Sequence, residues 1–189
     1  MTKKSAEDVL SFWFGNPMDP DYACYRAEWF SQNSAFDTKI NDLFGDLYHQ
    51  AIVGSLDSWK ASYKSTLALI ILLDQFSRNL FRGQARAFEQ DYKALKLAEY
   101  ALEKGYDKRL THENEKAFLF LPFEHSENLQ DQEKSIQLFS QLNETYHNYA
   151  RRHYEVIKKF GRYPSRNKAL GRVTTPEEKK YLEEFPDGF

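Results

Sequence analysis

The sequence predicts an all-α fold: about eight helices, antiparallel neighbours joined by short loops, in one compact domain over residues 1–189. Three observations predict it. Apolar residues recur at the 3.6-residue period of a helix along nearly the whole chain, and no stretch alternates as a strand does. Only 8 Gly and 6 Pro occur among 189 residues, and several sit where a helix would start or stop. Hydrophobic residues make up 41% and aromatics 16%, enough for a core that needs no disulfide or metal staple. No repeat, linker or low-complexity segment divides the chain.

The elements follow in order. Ser5 with Asp8 three residues on reads as a capping box, Val9–Phe14 as a short apolar helix, and Gly15 as its stop. Asn16-Pro17-Met18-Asp19-Pro20 is a turn region, and a short helix carries Trp29 and Phe30. Phe36, Ile40, Leu43, Phe44, Leu47 and Ala51 form one helical stripe, capped by Asn33 or Ser34 and ended by Gly54. A helix from about Lys64 to Phe81 comes next, followed by Gly83. Asp91 caps a helix through Leu95, Ala98 and Leu102 that stops at Gly105. Thr111 caps one over Glu115–Phe123, interrupted by Pro122. Asn128 begins a helix with Ile136, Leu138, Phe139 and Leu142, and another holds Tyr146, Tyr149, Ala150, His153, Ile157 and Phe160 before Gly161. Thr175-Pro176-Glu177-Glu178 starts the last, with Pro at its first position and Glu completing a capping box.

Charge narrows the function classes. Lys and Arg number 26 against 28 Asp and Glu, a net charge of −2, which disfavours nucleic acid as a partner. The one cysteine, Cys24, allows no internal disulfide and suits a reducing compartment. Met1–Val9 is polar and lacks the apolar stretch of a signal peptide. The longest apolar run, Leu67–Leu73, falls far short of the ~20 residues that cross a bilayer. The expectation is a cytoplasmic protein with no membrane partner.

Three segments are more polar than packing requires. In the first, the run Leu67–Leu73 is apolar all round and leads into Asp74, Gln75, Arg78 and Asn79. Asp74 and Arg78 lie one turn apart, in line with Leu67 and Ile71. This is either a structural network that fixes helix register or the wall of a ligand site. In the second, His125-Ser126-Glu127 follows an apolar helix broken by Pro122. His125 suits general acid–base work with Glu127 or Asp131 orienting it, while Ser126 or Asn128 can equally cap the next helix. In the third, Arg151–Arg172 holds eight Lys and Arg against one acid, a local charge of +7, and the rest of the chain carries −9. Arg162, Arg166 and Asn167 there suit carboxylate or phosphate, or else pair with acidic helices elsewhere. No His-x-x-x-His spacing occurs, so no metal is expected, and no cofactor is called for. The aromatics Phe12, Trp13, Phe14, Trp29, Phe30 and Trp59 read mainly as core, and His153, on an apolar stripe, as a satisfied core histidine.

Val9–Gly15, Leu67–Arg82, Phe118–Glu127 with Asp131-Gln132-Glu133, and Phe160–Arg172 together resemble the bacterial family called domain of unknown function 924, across nearly the whole chain. The resemblance implies an all-helical, right-handed tetratricopeptide-like array and brings no activity with it. Two departures stand out: Ser77 replaces an expected proline, and Tyr163 and Ser165 replace an expected phenylalanine and histidine. A catalytic histidine at 165 is therefore not available to this chain.

Two functions follow as expectations. In one, Asp74, Gln75, Arg78, Asn79, Arg162, Arg166 and Asn167 line one cleft for a small anionic ligand, with His125 and Glu127 as catalytic groups and hydrolysis as the least specific reaction. In the other, a tetratricopeptide-like groove receives an acidic peptide or partner on the basic stretch.

Overall fold

The computed structural model describes residues 4–186 and 188. Met1, Thr2, Lys3, Asp187 and Phe189 lie outside the described residues, so the polar N-terminal stretch is seen only from Lys4 onward. Among the described residues the chain is all helical. Its α-segments are α1 (Ala6–Phe14), α2 (Ser34–Ile52), α3 (Tyr63–Ile70), α4 (Ser77–Leu80), α5 (Asp91–Glu103), α6 (Glu113–Glu124), α7 (Leu129–Phe139), α8 (Glu144–Phe160) and α9 (Pro176–Glu184). A π turn over Ile71–Phe76 joins α3 and α4, so the described residues make eight helical rods. No helix among them is long and apolar enough to cross a membrane.

Local chemistry sets most ends. Ser5 accepts from the Asp8 N–H while Asp8 reaches back to the Ser5 N–H, which completes the capping box of α1. Thr175 and Glu178 do the same for α9, with Pro176 at its first position. Asn33, Asn128 and Asn143 cap α2, α7 and α8. Gly161 ends α8 at φ 68°, a left-handed conformation that suits glycine.

Three elements differ from the sequence reading. The single α-helix expected over 64–81 contains the π turn, which adds a residue to one turn and offsets the faces beyond it by roughly 100°. Asp91 is the first residue of α5 rather than its cap, because its carboxylate is engaged by Arg78. Pro122 does not interrupt α6; it lies in the last turn, where the missing N–H costs one bond and the helix runs on to Glu124.

The chain divides into two compact units: Met1–Arg82 with Arg86–Pro122, and Gly83–Ala85 with Phe123–Phe189. The core of the first is aromatic. Trp13, Phe14, Phe44, Phe76 and Phe118 are fully buried. The Trp13 ring meets Phe118 at 5.4 Å and Phe76 at 5.5 Å, and Trp29 donates through Nε1 to the Trp13 carbonyl at 3.0 Å. Burying each such ring stabilises by roughly 1.5–3 kcal/mol. In the second unit α7 packs on α8, and Val156, Ile157 and Tyr163 form a small core flanked by Phe160 and Tyr181.

Candidate functional site

The expected site residues fall in both units, and each set forms its own network. In the first unit the π turn carries Asp74, whose side chain is wholly buried. A buried carboxylate is costly unless paired and hydrogen-bonded. Gln75 Nε2 donates to Asp74 Oδ2, and Arg78 Nη1 lies 3.3 Å from Asp74 Oδ1. The same guanidinium forks onto Asp91 at 2.8 and 2.9 Å. Ser77, where a proline was expected, donates through Oγ to the carbonyls of Leu73 (2.7 Å) and Asp74 (3.0 Å), oxygens that a widened turn leaves accessible. Asn79 donates to Asp37 at 2.7 Å, and Arg82 pairs with the same carboxylate. Asp74, Gln75, Arg78 and Asn79 are thus all held by protein partners.

In the second unit the polar groups gather at the C-terminal end of α6. The last carbonyls of a helix have no partner within it and need donors from elsewhere. Gln132 Nε2, fully buried on α7, donates to Glu124 O and Ser126 O, each at 2.7 Å. The Tyr163 hydroxyl donates to Glu124 O and accepts from Gln132 Nε2 at 2.8 Å. Arg166 donates to His125 O at 2.9 Å, with its guanidinium 4.5 Å from the Tyr163 ring, a cation placed at the negative end of the helix dipole. Burial pushes the Tyr163 hydroxyl up, so it stays a donor.

Glu127 accepts from the Tyr163 N–H at 2.9 Å and from both Nη atoms of Arg172, at 2.6 and 3.0 Å. Burial works to raise its pKa, but the Arg172 and Tyr163 hydrogen bonds and the charges of Arg166 and Arg172 outweigh it and hold the carboxyl low. Arg162 forks onto the buried Glu178 at 2.6 and 2.9 Å and also donates to Val173 O. Those Arg162 bonds hold Glu178 at about 2, against the opposing effect of burial. Asn167, also buried, links the pairs: it donates to Glu178 at 3.2 Å and accepts from Arg172 Nε at 3.0 Å. The basic loop is therefore pinned through two carboxylates. Ser126 donates to Asp131 at 2.6 Å, so Asp131 serves the turn into α7.

Sequence reasoning missed the groups around His153. Its Nδ1 lies 2.9 Å from the Tyr149 carbonyl and 3.3 Å from Glu124 Oε1. Both neighbours are acceptors, so Nδ1 carries the proton. Burial pushes His153 down to about 3; the Tyr149 carbonyl opposes this, and the charges of His125, Arg166 and Arg152 add to it. The ring is therefore neutral near pH 7, and its contact with Glu124 is a hydrogen bond rather than an ion pair. A histidine and a glutamate beside each other across α6 and α8 leave no spacing signal in the sequence. Among the described residues, no group of three or more His, Cys, Asp or Glu side chains is placed to hold a metal.

A family model described as a bacterial protein of unknown function (DUF924) matches residues 9–185. A solved structure of a protein of unknown function from Agrobacterium tumefaciens is similar over 95% of this chain and 97% of its own, with 37% identity and a TM-score of 0.85. No curated protein matches the chain.

Proposed function

The chain belongs to the DUF924 family of bacterial proteins of unknown function, and within that family we propose that its second unit binds a small anionic ligand beside Arg166, Arg152 and His125. One observation supports this reading above others: Arg166 donates to His125 O at 2.9 Å, and the Arg152 guanidinium lies 5.6 Å from the ring of Tyr149, whose carbonyl meets His153. An added carboxylate or phosphate there would accept from guanidinium forks. The ligand is a small acid or phosphate, and if it is a substrate, His125 is the group to exchange a proton with it. Glu127 then acts on position rather than chemistry, since its oxygens already accept from Arg172 and the Tyr163 N–H.

Thermal-shift titration with inorganic phosphate and with succinate tests the binding. At 100 times its dissociation constant a ligand adds ~2.7 kcal/mol of stability. The wild type is expected to shift with one of the two, and Arg152→Gln and Arg166→Gln to lose the shift. Absence of any shift, or equal shifts in the variants, rejects the reading.

A further inference from the structure

The loop after α1, in the first unit, presents an unusual surface. Tyr25 is 67% exposed, Phe30 55% and Met18 87%. The two rings are not scattered singly: they stack at 6.1 Å with planes 18° apart, and Phe30 stacks in turn on the buried Phe118 at 6.1 Å. Exposed aromatic rings anchored on a core in this way are typical of interaction surfaces. The loop is also held in shape. Ala23 sits at φ 54°, donates its N–H to Phe14 O at 2.8 Å, and accepts from Asn114 Nδ2 at 2.7 Å. Such backbone strain persists only where surrounding bonds fix it.

The charged side chains of the loop itself are mostly acidic, with Arg82 reaching it only at Ser31 O. Asp19, Asp21 and Glu28 are exposed in the same loop. The one basic residue there, Arg26, folds back to donate to Phe12 O at 3.4 Å, with its guanidinium against Gly15. Aromatic faces attract cations, arginine above all, and exposed carboxylates attract them again. Both features select the same partner chemistry. We propose that the Tyr25–Phe30 surface docks an arginine-rich protein segment, its guanidinium groups stacking on the rings and pairing with Asp19, Asp21 and Glu28. This surface is independent of the anion reading and takes a partner of opposite charge.

The test uses the full chain and a fluorescent twelve-residue peptide of alternating Arg and Leu, with a Glu–Leu peptide as its counterpart. Fluorescence anisotropy should show the Arg peptide binding, and at least tenfold weaker binding as salt is raised from 50 to 300 mM, since exposed charge pairs are screened. Tyr25→Ser with Phe30→Ser, and separately Asp19→Lys with Asp21→Lys, should each weaken binding at least tenfold. These positions are exposed, and tryptophan emission checks that the variants fold. Cys24, the single cysteine, is exposed inside the loop, so bound Arg peptide should slow its alkylation. Arg152→Gln should change nothing. The proposal is overturned if the Arg peptide does not bind, if the Glu peptide binds equally well, if either variant pair binds like wild type, or if Cys24 reacts at the same rate with peptide present.

Discussion

Glu178 holds more of the second unit together than its place in a capping box suggests. Its carboxylate, 2% exposed, accepts from Arg162, Asn167 and the Thr175 N–H. Glu178→Gln keeps the shape but removes the charge that Arg162 meets. It should cost about 1–2 kcal/mol in urea unfolding, the lower part of the range for bonds to charged groups because Arg162 faces solvent. The neighbouring Glu177→Gln, whose pair with Lys159 is exposed, should cost less than about 0.5 kcal/mol. Equal losses in the two variants would mean that Glu178 acts only as a helix cap. The capping role was legible in the sequence because Thr175 and Glu178 are three residues apart. The Arg162 partnership was not, because a fork across 16 residues depends on how the loop returns. His153 illustrates the same limit. Its place on the apolar stripe of α8 read as core, while its contact with Glu124 comes from the meeting of two helices.

At the scale of elements, the ends of helices were the most readable feature. Ser5, Asn33, Asn128 and Thr175 cap as their local sequences require. What was illegible is the width of a turn: nothing in Leu67–Phe81 distinguishes an α turn from a π turn, since the same residues serve either. The choice is made by what Asp74 meets. That carboxylate lies inside the widened turn with Gln75 and Arg78 as partners, and Arg78 reaches on to Asp91 at the start of α5. Removing the acid leaves Arg78 its fork onto Asp91 but takes a charged acceptor from both Gln75 and Arg78 at a buried position. Asp74→Ala should therefore cost about 1.5–3 kcal/mol, the range for hydrogen bonds to a charged group. Asp74→Leu combined with Arg78→Met should cost less than the sum of the two single changes, because each single change already breaks the Asp74–Arg78 pair. Urea midpoints of Asp74→Ala, of the two single changes and of the double variant measure this. A loss under about 1 kcal/mol for Asp74→Ala would leave the network without a structural role and return these residues to consideration as ligand contacts.

For the whole molecule, the two units differ in what can report on them. Trp13, Trp29 and Trp59 all belong to the first unit, so tryptophan emission follows that unit, whereas far-ultraviolet circular dichroism follows the helices of both. The acids held low by arginines, Glu127 and Glu178, belong to the second. A carboxyl depressed in the folded state contributes stability that is fully present above its unfolded pKa. That contribution declines as pH falls below that value and is lost on passing the folded pKa. For Glu178 the window runs from roughly 4.5 in the unfolded chain down to about 2 in the folded one. Urea unfolding at pH 7 and at pH 3 should therefore separate the signals: at pH 3 the dichroism should show an early component that tryptophan emission does not follow. Glu178→Gln should shrink the difference between the two pH values, because the variant has no carboxyl at 178 left to protonate. If both signals coincide at both pH values, the units unfold as one cooperative body, and the stability lent by the second unit's arginine pairs is shared by the whole chain.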